Sequence, residues 1–169
     1  LSGFTRAGDA KFVPHALVER AKGLEDFKVD VYTGASLGFD TDALMSDAGI
    51  VRKRLPFQVD RTMRGHINKG DVGFIDQHLS VTSEYLRQGA MKIDVAIIEA
   101  TAITEDGYLI PPSSVGNSPI YVESADKVII ELNVAAPAEL EGLHDIYVPE
   151  KQGERGPIPI MHANDRVGA

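Results

Sequence analysis

The segment Ile93-Asp94-Val95-Ala96-Ile97-Ile98-Glu99-Ala100 constrains the fold most strongly. It is nearly continuously apolar, which fits a strand covered on both faces, as in parallel sheets. Val128-Ile129-Ile130-Glu131-Leu132 has the same character. Around these runs, short apolar segments alternate with amphipathic ones, the pattern of a β-α-β-α chain. A helix is expected over 13–22, with Val13, Ala16, Leu17 and Ala21 on one face, Pro14 in its first turn and Gly23 at its end. Val29-Asp30-Val31-Tyr32-Thr33 reads as a strand, followed by a short helix capped by Asp40 or Thr41 and carrying Leu44, Met45 and Ala48. Asp60 is expected to cap a helix through Met63, Arg64 and Ile67. Val72-Gly73-Phe74-Ile75-Asp76 reads as a strand, and Ser80 as the cap of a helix with Tyr85 and Leu86 that stops at Gly89. From about residue 135 the chain is rich in Pro and Gly and reads as an irregular arm. The expected fold is α/β, a mostly parallel sheet covered by helices. In such sheets ligands gather at the carboxyl ends of the strands.

Length and composition bound the function. At 169 residues the chain is long enough for one domain with a sizeable core. A net charge of −8 argues against a nucleic-acid binder, because phosphate contacts need clustered Lys and Arg. A small anion remains admissible, held by backbone N–H groups and a few local bases. The absence of cysteine excludes disulfides, thiolate metal sites and a cysteine nucleophile, and fits a reducing compartment. No apolar stretch approaches the roughly 20 residues of a membrane helix. Leu1-Ser2-Gly3-Phe4-Thr5 has no initiator methionine and no targeting pattern, so the chain is expected to begin inside something longer or to have been processed. No internal repeat is evident.

Four loops follow the expected strands, or a strand ahead of the chain. Ser2-Gly3-Phe4-Thr5-Arg6-Ala7-Gly8-Asp9-Ala10-Lys11 has two glycines before a helix, as anion-cradling loops do. It is not a Walker A loop, since Asp9 stands where Lys is required; it also fits a structural turn. Tyr32-Thr33-Gly34-Ala35-Ser36-Leu37-Gly38 offers small residues that let a ligand reach the backbone, and Ser36 could bond a carboxylate or thioester oxygen. A tight strand-to-helix turn is the other reading. In Asp76-Gln77-His78-Leu79-Ser80, His78 is either an acid–base candidate or a hydrogen-bonded structural histidine. A triad of Asp76, His78 and Ser80 is disfavoured, because triads are spatial and no G-x-S-x-G surrounds a serine. Ser113-Ser114-Val115-Gly116-Asn117-Ser118-Pro119 is a turn whose amide donors suit a site wall.

Glu99, near the end of a buried strand, must be paired or functional. The histidines (His15, His66, His78, His144, His162) are scattered without ligand spacing, so no metal site is expected. Arg52-Lys53-Arg54 and the pair Arg61 and Arg64 read as solvated basic faces, or as contacts for an acidic partner domain or a nucleotide phosphate.

Taken in order, several segments resemble the acetyl-CoA hydrolase/transferase family. They are Ser2-Gly3-Phe4-Thr5, Val31-Tyr32-Thr33-Gly34-Ala35-Ser36, Phe74-Ile75-Asp76-Gln77-His78-Leu79-Ser80, Asp94-Val95-Ala96-Ile97-Ile98-Glu99-Ala100-Thr101, Ser114-Val115-Gly116-Asn117-Ser118 and Glu139-Leu140-Glu141-Gly142-Leu143-His144-Asp145-Ile146-Tyr147. The resemblance covers almost the whole chain and implies a CoA-transferase-like amino-terminal domain, residues 1–169, of a longer two-domain enzyme. It implies transfer of coenzyme A between an acyl-CoA and a small carboxylate of the acetate, succinate or propionate class. A glutamate of the carboxyl-terminal domain would attack the thioester and pass through an anhydride to a glutamyl-CoA. No residue here matches that glutamate, so the catalytic set of this chain is expected to be empty and the isolated chain inactive. The resemblance assigns Gly34 and Ser36 to the small-carboxylate pocket, Gly116 and Asn117 to its wall, and Gly3 and Gly8 to the acyl-CoA end. It implies coenzyme A thioester as substrate, no permanently bound cofactor or metal, a homo-oligomer, and a cytoplasmic or, in a eukaryote, mitochondrial location. An acetyl-CoA hydrolase of the same family and a non-catalytic binding or assembly module are the competing readings.

Overall fold

The computed structural model describes residues 1–38 and 40–165; Phe39 and 166–169 lie outside it. In chain order the elements are α1 (Phe12–Ala21), β1 (Val29–Tyr32), α2 (Thr41–Asp47), β2 (Val51–Leu55), α3 (Arg61–Lys69), β3 (Gly73–Phe74), α4 (Leu79–Arg87), β4 (Ile93–Ala100), β5 (Ala102–Ile103), β6 (Leu109–Ile110), α5 (Ser118–Ser124) and β7 (Ala125–Leu132). A 3-10 turn, Ala138–Leu140, interrupts the irregular arm.

Parallel pairing dominates, as the apolar runs predict. β1, β2 and β3 form one parallel sheet in that order, and β4 pairs with β7 in parallel from Ile93 opposite Ala125 to Ala100 opposite Leu132. β5 and β6 make a small antiparallel hairpin that the sequence did not announce. Residues Leu1 and Ser2 bridge the two parallel sheets: the Leu1 amine donates to the Tyr32 carbonyl at 2.8 Å, and the Ser2 N–H donates to the Ile97 carbonyl at 2.8 Å.

Two apolar clusters lie on either side of that bridge. Val18, Val31, Met45, Ile50, Val51, Met63 and Val72 form one, beneath α1, α2 and α3. Leu86, Ile93, Ala96, Ile98, Ile120 and Tyr121 form the other, beneath α4 and α5. β7 is different, because Val128, Ile129 and Leu132 stay exposed along it.

Several local expectations change. The inward stripe of α1 is Pro14, Val18 and Ala21, spaced by four and three, and Ala16 faces out. Asp60 caps α3 as expected, its carboxylate accepting the Met63 N–H at 2.8 Å. Asp40 stands at the start of α2 without a side-chain cap bond. His78, not Ser80, holds the cap position of α4, and Ser80 lies in the first turn. The expected strand over 72–76 shortens to β3. Arg52-Lys53-Arg54 is the middle of β2; Arg52 is solvated as expected and Lys53 partly so, but Arg54 is 0% exposed. The helix α1 is capped from far away, because the Glu131 carboxylate on β7 accepts from the N–H groups of Lys11 at 2.6 Å and of Phe12 and Val13 at 2.9 Å. No helix among the described residues is long and apolar enough to cross a membrane.

One titratable contact ties α3 to its neighbours. His66 lies 3.0 Å from Asp47 of α2 through Nε2, and 3.0 Å from Asp71 through Nδ1. Its pKa is raised above 6.5, first by the hydrogen bond to Asp47 and then by that to Asp71. A raised folded-state pKa gives stabilisation that is complete below 6.5 and is lost as pH climbs through the higher folded value. Urea denaturation across that window should therefore show a falling difference between this chain and His66→Gln. A pH-independent difference would contradict it.

Candidate functional site

The loop that follows β1 and the loop that precedes α5 meet at one backbone group, the carbonyl of Gly3. A Cβ added to Gly34 would lie 2.6 Å from that oxygen, and one added to Gly116 would lie 3.4 Å from it. Gly34 therefore has to be glycine for its loop to seat against residues 3 and 4. Gly8 packs on the same loop cluster, its added Cβ falling 2.8 Å from the Pro112 ring and 3.1 Å from the Ser114 carbonyl. Gly3 itself has φ +104 and faces Asp9. The structure thus brings Gly3, Gly8, Gly34 and Gly116 together.

The first loop is stitched down by Ser2 and Asp9. The Ser2 hydroxyl donates to the Gly8 carbonyl at 2.7 Å and accepts the Glu99 N–H at 2.9 Å. Asp9 is fully buried; its Oδ2 accepts the Gly38 N–H at 2.8 Å, while Oδ1 has no hydrogen-bond partner. Between Phe4 and Ala7, which exchange backbone hydrogen bonds, Thr5 and Arg6 both take positive φ, 49 and 74. Neither residue is glycine or asparagine, so this exposed tip is held against its intrinsic preference.

The second loop is shaped by a buried ion pair. Arg54 on β2 and Asp42 on α2 are 0% and 1% exposed and meet at 2.8 Å from Nε to Oδ1 and 3.2 Å from Nη2 to Oδ2. The remaining capacity of both groups goes to the loop. Arg54 donates to the Thr33 hydroxyl at 2.9 Å and the Ala35 carbonyl at 3.1 Å, and also to the Leu55 carbonyl. Asp42 accepts the Leu37 N–H at 2.8 Å. Tyr121 of α5 adds a bond from its hydroxyl to the Thr33 carbonyl at 2.9 Å; burial pushes its pKa up to about 12, so it remains a donor. Ser36 is buried in this loop. Its hydroxyl donates to Gln58 Oε1 at 3.1 Å and accepts the Val59 N–H at 2.6 Å.

Asn117 occupies the cap position of α5 and, with Gly116, joins the glycine cluster to a cavity of about 500 Å³. His78, Arg87 and Arg155 also line this cavity. Arg87 Nη1 is buried there without a hydrogen-bond partner, 3.9 Å from Glu84, which Arg155 also engages. Glu99 lies outside the cluster and is fully committed: it pairs with Lys11 and accepts from Asn133 Nδ2 at 2.7 Å. Among the described residues no group of three or more His, Cys, Asp or Glu is arranged to hold a metal ion.

Residues 1–164 match the family described as the acetyl-CoA hydrolase/transferase N-terminal domain. This chain belongs to that family. A succinyl-CoA:acetate CoA-transferase of Clostridium kluyveri is 47% identical to it over 99% of this chain and 32% of its own length. A propanoyl-CoA:succinate CoA transferase of Escherichia coli is 40% identical, again over 99% of this chain and 35% of its own length. An acetyl-CoA hydrolase of Yarrowia lipolytica is 38% identical over 99% of this chain and 34% of its own length. The chain thus spans about a third of the length of these acetyl-CoA hydrolase/transferase relatives.

Sequence reasoning missed Arg54, Asp42, Asp9, Gln58 and Tyr121. Only Arg54 left a trace: a basic residue flanked by Val51 and Leu55 in a short run. Two variants test the construction of the site. Gly34→Ala should lose roughly 1–3 kcal/mol in urea denaturation, because the new methyl meets a backbone carbonyl. Arg54→Met should lose about 3–5 kcal/mol by leaving Asp42 buried and unpaired, and pairing it with Asp42→Leu should recover part of that loss. Additive losses in the double variant would show that the two groups do not act as a pair.

Proposed function

We propose that this chain forms one wall of the active site of an enzyme that moves coenzyme A between an acyl-CoA and a small carboxylate of the acetate, succinate or propionate class. The observation that carries this reading is the seating of the Gly34 loop, at the carboxyl end of β1, and of the Gly116 loop on the Gly3 carbonyl. That seating leaves Gly116 exposed and puts it with Asn117 on the wall of the cavity of about 500 Å³, where a ligand can come close to peptide groups. Attack on a thioester places negative charge on its oxygen, and fixed N–H groups are the economical way to meet it.

In this reading the nucleophile is a glutamate of a carboxyl-terminal domain outside this chain. It attacks the thioester carbonyl, CoA leaves as thiolate, and an acyl-glutamyl anhydride remains. The thiolate then attacks the glutamyl carbonyl, giving glutamyl-CoA and releasing the first carboxylate. The second acid reverses these steps. Gly34 and Ser36 line the small-carboxylate pocket, Gly116 and Asn117 form its wall, and Gly3 and Gly8 approach the acyl-CoA end. Ser36 would donate to a carboxylate only by exchanging Gln58 for it, so Gln58 tunes that pocket. The enzyme works in the cytoplasm as a homo-oligomer, with CoA thioester as substrate and no resident cofactor.

The 47% identity to a succinyl-CoA:acetate CoA-transferase favours transfer over hydrolysis. The exposed apolar residues of β7 favour a domain that packs on further polypeptide over a free-standing binding module. Incubating the chain alone with acetyl-CoA and succinate should give no succinyl-CoA and no CoA adduct on any glutamate by intact-mass and peptide mass spectrometry. A glutamyl-CoA adduct on this chain would overturn the assignment of the nucleophile to the other domain.

A further inference from the structure

The cavity of about 500 Å³ lined by Gly116 and Asn117 runs along one face of α4. Leu79, Ser83 and Arg87 line it at spacings of four, so a single stripe of the helix faces in. From the first to the last of these the helix rises about 12 Å. Much of the remaining wall is apolar, with Ile120 from α5 and Tyr147 and Pro149 from the irregular arm. A cavity of this volume is suited to a ligand much larger than acetate, which has only a few heavy atoms.

The carboxyl end of that stripe carries charge that the chain does not neutralise. Arg87 has a side chain only 16% exposed, and its Nη1 is buried without a hydrogen-bond partner. Glu84, three residues back on α4, stands 3.9 Å from that nitrogen, beyond hydrogen-bond reach. Glu84 is already engaged elsewhere. One of its oxygens accepts from Arg155 Nη2, and the other accepts the Gln152 N–H at 3.2 Å. The Gln152 N–H first, and then Arg155, hold its carboxyl below the ordinary range against a smaller opposing effect of burial, so it is ionised at neutral pH. Two guanidiniums thus share one carboxylate, and this end of the cavity keeps a positive charge. A buried guanidinium N–H without an acceptor costs stability. Its planar fork of donors matches a carboxylate, which supplies what the chain leaves out.

We propose that this cavity selects an acid with a second carboxylate beyond the one that reacts, a dicarboxylate of the succinate class, and that Arg87 binds that second carboxylate. The inference rests on the proposed function, in which Gly116 and Asn117 meet the first carboxylate. Those two residues carry no charge that could tell a dicarboxylate from a monocarboxylate of the same length. Arg87 does, because a monocarboxylate leaves its buried N–H as unpaired as before. Arg155 and Gln152 act as positioning residues: they hold Glu84 away from Arg87 and so keep the guanidinium available.

The test is an NMR titration of the isotope-labelled chain at fixed ionic strength, with succinate, butyrate and inorganic phosphate as probes. Succinate and butyrate have equally long carbon chains and differ in the second carboxylate. Succinate should bind at least about tenfold more tightly than butyrate and should shift the side-chain N–H signal of Arg87. Arg87→Met should bring the two acids to within about twofold of each other. Arg87→Lys keeps the charge but loses the fork, so it should weaken the preference, and it serves if the Met variant does not fold. Equal affinities in the parent chain, no succinate-dependent shift at Arg87, or a preference undiminished in whichever variant folds overturns the proposal. Phosphate binding as tightly as succinate shows a general oxyanion site and overturns the dicarboxylate assignment. The readout is binding and does not depend on turnover. A succinate preference that shifts Arg87 but leaves Gly116 and Asn117 unmoved upholds the anchor and overturns instead the wall assigned to those two residues.

Discussion

The buried pair of Arg54 and Asp42 is the interaction on which the rest of the site depends. Neither charge touches water, so each must find its full complement of partners inside the protein. Asp42 alone uses only part of the guanidinium. The remaining donors reach the Thr33 hydroxyl and the Ala35 and Leu55 carbonyls, and the carboxylate takes the Leu37 N–H. A loop that would otherwise be free to move is thereby pinned from beneath at three successive odd positions. Gly34 is then pressed onto the Gly3 carbonyl from the other side.

This explains why the candidate site is built mainly of backbone. Ser36 and Asp9 are buried and spend their polar atoms largely on neighbouring loops. Gly3, Gly8 and Gly34 are buried, and the cluster reaches the surface at Gly116 and at the strained turn of Phe4, Thr5 and Arg6. Such a surface can be complementary to a thioester or a carboxylate without supplying the group that reacts. It is a shape held rigid by charges that a ligand never meets.

Much of the fold could be read from residue patterns. The run from Ile93 to Ala100 became β4 at those bounds, and Asp60 caps its helix, because both depend on neighbours close in sequence. β5 and β6, two residues each, are too short to leave a period. Arg54 was misread because its partner sits twelve residues upstream on a helix, and three basic residues in a row look like surface. The individual turns at Gly3, Gly34 and Gly116 were visible; their meeting at one carbonyl oxygen was not, since it depends on how three distant loops are brought side by side. Ser36 was legible as a loop serine, but its engagement by Gln58 and Val59 is a tertiary fact.

The cap supplied to α1 by Glu131 has a consequence for the order of events during folding. The three N–H groups at the start of the first helix wait for a carboxylate 118 to 120 residues further along the chain. Closing so long a loop costs entropy before any contact is gained. On a ribosome, the first helix emerges long before its cap exists. α1 is therefore among the last parts of the domain to become fully secured, although it is among the first to be made.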